Sequence, residues 1–461
     1  MPSNPSSIIS RRGVLKAAGA AAVGSGTAKL LGGNTLAAQQ GAPAVLTNAQ
    51  AGRKFHALVK YNTNAPTVLE LKVRGVTGRQ VLIRTEAAQT CYSNADQVLL
   101  PDIPTDKAEI VGHGGIGFVE AIGPQVVHAR VGDRVIVTDW SSCGWCFNCL
   151  RMRSDKCMVR GSAVDMPTSD MADGIPVFSS KGGMSELMLV QEEQAIPIFT
   201  ELPGPELAML HCVGTCGLGM ATSNCAVEMA SDVVVFGAGP VGLSAIQGAR
   251  IKGAARIIVV EPIRYRRDLA LKLGATEGVD PNQYKERKLR AGSPGSGDAR
   301  GPAANASYDD SLVEHLREMC KQKTDRLLVG GGRIGPDHVI EAVGGDRMKP
   351  KEVQGPDPTG VTVLQQCWEL CSQTGTLATS SVGHPVGAMV QIPASQWADG
   401  AKHHWPGTAG GTNPRRDEAR YIKLMETGQL NMKALASQTY PLSRAKEAYQ
   451  ECADLRSLRL S

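Results

Sequence analysis

Four closely spaced cysteines are the clearest chemical feature of this 461-residue sequence. Cys143, Cys146, Cys149 and Cys157 form a C-x2-C-x2-C-x7-C pattern. Four thiolates at this spacing suit a closed tetrahedral zinc site, with Zn–S bonds of ~2.3 Å. The alternative is a disulfide knot, which an oxidising compartment permits. We favour zinc because the ligand spacing is specific, and we expect this structural zinc to hold a surface lobe at 143–157.

A glycine-rich turn indicates a second chemistry, the binding of a dinucleotide. Gly237, Gly239 and Gly242 form a G-x-G-x-x-G between an apolar, β-branched run and a stretch of helical period. The first glycine allows a tight turn, the second lets a pyrophosphate approach the backbone, and the third lets the helix pack on the strand. We expect the pyrophosphate at the helix N-terminus, beside Pro240 and Val241.

The acid that closes the next strand favours NAD as the dinucleotide. Glu261 follows the buried run 256–260, where a carboxylate accepts hydrogen bonds from the adenosine ribose and repels a 2′-phosphate. NADP stays an alternative cofactor because three arginines lie just downstream: Arg264, Arg266 and Arg267. We assign Arg266 to the cofactor site.

The N-terminal segment predicts export of the folded chain. Residues 1–38 contain Arg11-Arg12, a weakly apolar Ala/Gly-rich stretch and a small-residue exit, which resembles a twin-arginine (Tat) signal peptide. The alternatives are a mitochondrial-type presequence or a fortuitous basic start. The Tat route carries folded proteins, so we expect a periplasmic protein whose zinc lobe folds first in the reducing cytoplasm.

The charge balance excludes a nucleic-acid partner. The chain has 49 basic and 44 acidic residues, and four of the basic ones lie in the leader, which has no acidic residue. The mature protein is therefore close to neutral. After the leader, no apolar run is long enough to span a membrane.

These features need two or three domains, because 461 residues are too many for one core. Gly112-His113, the run 131–135 (VGDRV) and the cysteine cluster make the chain from about Phe55 to its end resemble the zinc-dependent medium-chain alcohol dehydrogenases. The resemblance implies an α/β fold: a GroES-like, β-rich catalytic domain and a Rossmann domain with a doubly wound parallel sheet that binds NAD. It implies these boundaries: 50–212 for the catalytic domain, 213–410 for the Rossmann domain, and 411–461 for a return to the catalytic domain.

The resemblance also implies a catalytic zinc held by Cys91, His113 and Cys212, so that the chain binds two zinc ions. Cys216 competes with Cys212, but Cys212 has the family's separation from the glycine turn. Taken singly, each residue is equally well a buried thiol or a core histidine. Ser93, two residues after Cys91, lies where the family keeps its proton-transferring hydroxyl.

The sequence departs from the family around this zinc. Asp96 stands where a histidine often ends the proton relay, Gly114 where an acid follows the ligand histidine, and Asn94 where an acid orients that histidine. The sequence therefore does not assign the route by which the proton leaves the site. Asp96 either accepts the proton or caps a helix. Asp139 and Trp140 are expected near the substrate mouth, or else at an ordinary strand end.

Two insertions, 291–309 and 345–360, together with 400–405, resemble the branch of glutathione-independent formaldehyde dehydrogenases and dismutases. Members of that branch are nicotinoproteins, which retain NAD(H) through turnover; the alternative is that the insertions are plain surface loops. Arg456 lies roughly where the family has a pyrophosphate-binding arginine, or is a surface arginine.

We therefore expect hydride transfer between a primary alcohol or aldehyde hydrate and NAD(H), in a homodimer or homotetramer. An exported enzyme meets little free NAD, so a retained cofactor would work by dismutation or with an external electron acceptor. Two alternatives stay open: a non-redox lyase or isomerase that uses bound NAD transiently, and a non-catalytic protein that binds zinc and NAD on a dehydrogenase scaffold.

Overall fold

Short strands build the first part of the described chain, and strands alternating with helices build the second. The computed structural model describes residues 50–99, 107–161, 166–179, 181–284, 288–290, 307–321, 335–344, 361–380, 384, 387–390, 392, 397, 401–407, 409–454 and 459–460. The predicted leader at 1–38, nearly all of the insertion at 291–309, the insertion at 345–360 and Arg456 lie outside these residues. The predicted domain boundaries stay a prediction.

The β-rich part contains a closed barrel and a five-stranded sheet. Its strands are β1 Lys54–Lys60, β2 Thr67–Val73, β3 Gln80–Ala87, β4 Ala108–Ile110, β5 Gly115–Ile122, β6 Arg134–Val137, β7 Pro167–Asp170, β8 Pro176–Phe178, β9 Leu187–Gln191 and β10 Ala195–Pro197. The barrel has the order β1-β2-β7-β8-β4, and the sheet has the order β10-β6-β5-β3-β9. β1 and β2 pair as an antiparallel hairpin.

A six-stranded parallel sheet follows. Its part of the chain supplies β11 Asp232–Phe236, β12 Arg256–Val260, β13 Glu277–Val279, β14 Lys288–Arg290, β15 Ser307–Asp309, β16 His338–Glu341, β17 Thr376–Thr379, β18 His403–Pro406, β19 Ala436–Gln438 and β20 Arg459–Leu460. The sheet order is β13-β12-β11-β16-β17-β18. All five residues of β11 are buried, because helices cover both faces of such a sheet. β18 forms the exposed edge.

The helices connect and cover these sheets. They are α1 Ala95–Leu99, α2 Gly204–Met209, α3 Thr215–Gly219, α4 Pro240–Ile251, α5 Arg264–Leu273, α6 Ser311–Cys320, α7 Thr362–Leu370, α8 Pro414–Glu426 and α9 Ala445–Ala453. Short 3-10 turns lie at Tyr92–Asn94, Cys149–Arg151, Ser154–Lys156, Met158–Gly161, Pro281–Gln283 and Leu442–Arg444. None of the helices in the described ranges is long and apolar enough to cross a membrane.

Two π-helical turns interrupt the run between the β-rich part and the parallel sheet. Leu210–Gly214 joins α2 to α3, and Met220–Asn224 follows α3. Such turns are rare and often occur at functional sites. The hydrophobic pattern of the sequence does not reveal them.

One buried cluster joins the two parts of the fold. It contains Ile116 and Ile136 from the five-stranded sheet, and Val233 and Ile257 from the parallel sheet. The run that connects the two parts also packs closely on α4: a Cβ at Gly217 of α3 would lie 2.1 Å from the backbone oxygen of Val241. Only glycine allows that approach of the two helices.

Candidate metal centres and cofactor site

The four cysteines of the lobe at 143–157 converge with the geometry of a tetrahedral metal site. Cys143 Sγ lies 3.9 Å from Cys149 Sγ, and Cys146 Sγ lies 4.0 Å from Cys157 Sγ. Four sulfurs at ~2.3 Å from a shared zinc would be about 3.8 Å apart, whereas a disulfide needs about 2.05 Å. All four thiols are free, so the set fits zinc and not the disulfide alternative.

The thiols of the lobe differ in acidity: burial raises the pKa of Cys143 and raises that of Cys149 to about 12, whereas the pKa of Cys146 is lowered. The backbone N–H groups of Met158 and Cys149 donate toward Cys146 and lower its pKa to about 6. The Met158 N–H lies 3.4 Å from Cys146 Sγ, and the Cys146 N–H lies 3.3 Å from Cys143 Sγ. N–H groups that point at sulfur stabilise thiolates, which are the form that binds metal.

A second group of ligand atoms gathers from three distant segments. Cys91 directly precedes the 3-10 turn at 92–94, His113 lies between β4 and β5, and Cys212 lies in the π-turn at 210–214. Their ligand atoms all lie within 4.8 Å of one another, and Cys212 Sγ is 3.3 Å from His113 Nε2. Two thiols and an imidazole form a three-ligand set that leaves a fourth position open, as in catalytic zinc sites.

Glycines let the backbone close tightly around His113. A Cβ at Gly114 would lie 2.2 Å from the carbonyl oxygen of Val137 and 3.0 Å from His211 Cδ2. A Cβ at Gly183 would lie 2.5 Å from the Gly114 oxygen and 3.1 Å from the His113 nitrogen. The departure noted at Gly114 therefore has a physical reason, because this position has no room for an acidic side chain.

His211 fills the space beside Gly114 and ties the ligand segments together. Its Nε2 lies 2.7 Å from the His113 carbonyl oxygen, and its Nδ1 lies 2.7 Å from the Ala208 carbonyl oxygen. The side chain is fully buried. Burial and the charge of His113 lower the pKa of His211 to about 4, although the two carbonyl contacts oppose that shift. His211 was not among the residues predicted for this site.

An ion pair lies beside His113. The Lys181 ammonium contacts the Asp139 carboxylate, and both side chains are largely buried. Burial lowers the pKa of His113, but the negative charges of Asp139 and Cys91 outweigh burial, so the net shift is upward. Asp139, predicted at the substrate mouth, is thus an electrostatic neighbour of the ligand histidine. Lys181 was not among the predicted site residues.

The residues predicted to carry the proton are only partly brought together. Ser93 Oγ lies 3.0 Å from Cys91 Sγ, so its hydroxyl is beside one of the three ligand atoms. Asn94 Nδ2 donates to Gln97 Oε1 at 3.2 Å. Asp96 lies in α1, and its side chain is outside the part of the chain that the structure describes.

The glycine turn has the geometry expected of a pyrophosphate cradle. Gly237 has φ +91°, and a Cβ at Gly242 would lie 1.9 Å from the Gly237 oxygen. A Cβ at Gly239 would have no described atom within 4 Å, so the backbone is open there. α4 begins at Pro240, directly after the turn, and Gly239 caps it without a side chain. Val241 lies in its first turn.

Glu261 binds the protein's own backbone in this structure. Its Oε2 accepts from the Ala238 N–H at 2.7 Å, and its Oε1 accepts from the Ile263 N–H at 2.9 Å. The carboxylate therefore ties the glycine turn to the end of β12. Arg266 is buried, and its Nε donates to the Tyr265 hydroxyl at 3.0 Å. Contacts of Glu261 with ribose and of Arg266 with the cofactor stay predictions.

Comparison with known proteins agrees with this architecture. Residues 77–200 match the family described as "Alcohol dehydrogenase GroES-like domain", and residues 240–426 match the family described as "Zinc-binding dehydrogenase". The two matches together cover more than half of the chain and include the cysteine lobe, His113 and the end of the glycine turn.

Several relatives are similar over most of their length. The "NDMA-dependent alcohol dehydrogenase" of Amycolatopsis methanolica is 24% identical over 88% of this chain and 98% of its own. The "S-(hydroxymethyl)glutathione dehydrogenase" of Haemophilus influenzae is 25% identical over 88% of this chain and 96% of its own. The "Geraniol dehydrogenase" of Castellaniella defragrans is 34% identical over 49% of this chain and 63% of its own.

Solved structures show the same fold. An "Alcohol dehydrogenase zinc-binding domain protein" from Burkholderia ambifaria superposes with a TM-score of 0.70 at 25% identity, over 88% of this chain and 98% of that one. A "benzyl alcohol dehydrogenase" from Acinetobacter calcoaceticus gives a TM-score of 0.68 at 23% identity, with the same coverage of both chains. The GroES-like β-rich region and the Rossmann-type parallel sheet predicted from the sequence are thereby confirmed.

Proposed function

Because the chain belongs to the family of zinc-containing medium-chain alcohol dehydrogenases and is an oxidoreductase of that type, we propose that it transfers hydride between a primary alcohol or an aldehyde hydrate and a nicotinamide cofactor that stays bound through turnover. One observation carries the proposal. Cys91, His113 and Cys212, which are far apart in the sequence, offer three ligand atoms within 4.8 Å of one another.

The donor sets fit the groups that this chemistry requires. Two thiols and one imidazole suit catalytic zinc, and the open backbone at Gly239 before a twelve-residue helix suits a pyrophosphate. α3 links the two sites, since it directly follows the π-turn that contains Cys212 and packs against α4 at Gly217.

The chain's own residues then have separate tasks. Cys91, His113 and Cys212 would hold zinc, and the Ser93 hydroxyl would accept the proton of the substrate hydroxyl. When bound, zinc supplies a Lewis acid that lowers the pKa of a hydroxyl, and NAD supplies the hydride acceptor. Trp140 and Cys216 belong to the same buried cluster as Cys91 and Cys212, and this apolar surrounding would keep water away from the reacting groups.

Retention of the cofactor is the finer part of the proposal. It is supported by the similarity to the NDMA-dependent alcohol dehydrogenase of Amycolatopsis methanolica, and by the difficulty of supplying free NAD outside the cytoplasm. Reduced nicotinamide would then be reoxidised in place, either by a second aldehyde, which gives an acid and an alcohol in equal amounts, or by an external acceptor.

The cofactor content of the purified protein tests this proposal. We expect denaturation to release NAD(H), seen by absorbance and mass spectrometry, without any added nucleotide. Incubation with an aldehyde should give equal acid and alcohol, or oxidation should proceed only with an acceptor such as NDMA. A cofactor-free preparation that needs millimolar NAD contradicts retention, and a redox-neutral conversion of one substrate into one product points to the lyase or isomerase alternative.

We further propose export through the Tat pathway, supported by Arg11-Arg12 and the weakly apolar stretch after it. Replacement of both arginines by lysine should leave the protein in the cytoplasm with its leader uncut, whereas Lys29→Arg should not affect export. Fractionation of cells followed by mass measurement of the N-terminus distinguishes these results. Equal export of the double variant would exclude the Tat route.

A further inference from the structure

A buried carboxyl group lies beneath the segment that contains Cys212. Glu418, on α8, is fully buried, and its Oε1 lies 2.7 Å from Thr215 Oγ1. Its Oε2 has no hydrogen-bond partner among the described residues. Two arginines of the same helix, Arg416 and Arg420, pair with Asp417 instead. No cation in the described part of the chain balances a charge on Glu418.

The single proton of the neighbouring Thr215 hydroxyl indicates the protonation state of Glu418. Thr215 Oγ1 lies 2.8 Å from the Leu210 carbonyl oxygen and 2.7 Å from Glu418 Oε1. A hydroxyl has one proton to donate, and a carbonyl oxygen only accepts. Both contacts are hydrogen bonds only when Thr215 donates to Leu210 and a protonated Glu418 donates to Thr215.

The ionised alternative is unfavourable for a second reason. A carboxylate on Glu418 would receive the Thr215 proton and leave two acceptor oxygens facing each other at 2.8 Å. It would also bury a charge whose Oε2 has no described partner. Burial of an unpaired charge costs far more than burial of a hydrogen-bonded neutral acid.

Thr215 is the residue that closes the π-turn. Its backbone N–H and its hydroxyl both donate to the Leu210 oxygen, and its own carbonyl oxygen accepts from Thr412 Oγ1 at 3.0 Å. Cys212 lies inside this turn. The direction of its thiol therefore depends on a turn whose closing residue is hydrogen-bonded on both sides.

We propose that Glu418 is a positioning residue: as a neutral acid it donates to Thr215 and thereby fixes the π-turn that presents Cys212 to the catalytic metal. The inference rests on the proposed role of Cys212 as a ligand. It assigns a role at this site to Glu418, which lies 206 positions after Cys212 in the sequence and acts only through hydrogen bonds.

The titration of Glu418 agrees with this geometry. Burial and the charge of Asp417 raise the pKa of Glu418 from 4.5 to about 7, although the hydrogen bond with Thr215 opposes the shift. Asp417 and Tyr421, on its own helix, are the titratable groups that face it, and α3 contributes the neutral Thr215 hydroxyl. Because the folded-state pKa lies above the unfolded one, the stabilisation is complete below about pH 4.5 and is lost as the pH rises through about 7.

Glu418→Gln is the decisive variant, because an amide donates to Thr215 but never ionises. In infrared difference spectra at pH 6, wild type minus Glu418→Gln should show the carbonyl band of a protonated carboxyl group. The folding constant of wild type relative to this variant should fall roughly 100-fold between pH 5 and pH 8, at tenfold for each pH unit over about two units. A missing band or a ratio independent of pH would overturn the proposal.

Two further pairs test the link to Cys212. Thr215→Val and Glu418→Met remove the hydrogen bonds and should release zinc from the three-ligand site to a chelating indicator at least several-fold faster. Thr215→Ser and Glu418→Gln should release it at the wild-type rate, with the four-cysteine lobe as the internal reference. Equal release from all four variants would exclude positioning.

These measurements need no substrate. Turnover without the carboxyl band would therefore contradict this inference alone, whereas the band without turnover of any alcohol or aldehyde would contradict only the proposed function.

Discussion

The two candidate metal centres differ in how much of the fold each one needs. The lobe at 143–157 takes all four sulfurs from one short stretch and receives N–H groups from its own loop. The other centre takes Cys91, His113 and Cys212 from three segments, and depends on glycine contacts and a π-turn to bring them together. A local ligand set can be recognised from the spacing of its residues in the sequence. A dispersed ligand set forms only after the β-rich part and the helical run have folded together.

The two centres also differ in what surrounds them. The lobe exposes large apolar side chains, such as Trp145 and Phe147, and its four sulfurs would complete the coordination of a zinc ion. The dispersed centre lies against the continuous buried cluster, with His211 and the pair Asp139–Lys181 beside His113. A closed set supports structure, and a buried, three-ligand set leaves one position for chemistry.

The largest effect that separates the two centres is expected from Cys212→Ala. This variant should lose turnover and one zinc per chain while it keeps the lobe zinc and the bound nicotinamide, because three ligands become two. Metal analysis, cofactor release and turnover measure this. Cys225→Ala removes another buried thiol and should keep both zinc ions. Full activity of Cys212→Ala would show that Cys216 or another residue is the ligand.

Ser93→Ala should have the next largest effect. Loss of a positioned proton acceptor lowers kcat by about 10²–10⁴-fold, while both zinc ions stay bound because Ser93 is not a ligand. Ser93→Thr keeps the hydroxyl and should retain most of the activity. The measurement is kcat and KM across pH, and an unchanged kcat would assign the proton transfer to another group.

Cys146→Ala should destabilise the lobe at 143–157 much more than it lowers turnover. The variant should lose the lobe zinc, unfold at a lower temperature and be cut sooner by protease within 143–157, because metal binding and folding of such a site are coupled. Turnover should fall far less than in Cys212→Ala. A loss of the catalytic zinc together with the lobe zinc would show that the two centres are not independent.

The smallest effect is expected where the lobe contacts the segment before α8. Ser154 is buried, and its hydroxyl donates to the Thr412 carbonyl oxygen at 3.3 Å. Ser154→Ala should lower the free energy of unfolding by about 0.5–1.5 kcal/mol and leave both zinc ions in place. Urea unfolding monitored by fluorescence measures it, and a loss of zinc would mean that this contact supports the metal site directly.

The strand pattern and the local motifs were predictable from the sequence because their signals are local. The runs at 233–236 and 256–260, the glycine turn and the cysteine spacing each need only neighbouring residues, and the structure has β11, β12 and α4 at those positions. The predictions for Cys91, His113 and Cys212 came from resemblance, since no local pattern connects residues so far apart.

Other features were not predictable, for physical reasons. The π-turn at 210–214 is stabilised by Thr215 and Glu418, which meet only in the folded chain. Gly114 looked like a missing acid until the structure showed His211 in the space that an acid would need. The pairing of Lys181 with Asp139 joins two loops, and a lone lysine in a sequence gives no sign of such a partner.

The close contact at Gly217 has a consequence for how the molecule responds to heat. Its backbone meets that of α4, and the surrounding apolar cluster takes side chains from both the five-stranded and the parallel sheet. Unfolding of either sheet would therefore remove buried apolar contacts from the other sheet. Calorimetry of the zinc-loaded protein should therefore record a single cooperative endotherm, although the chain contains two different architectures.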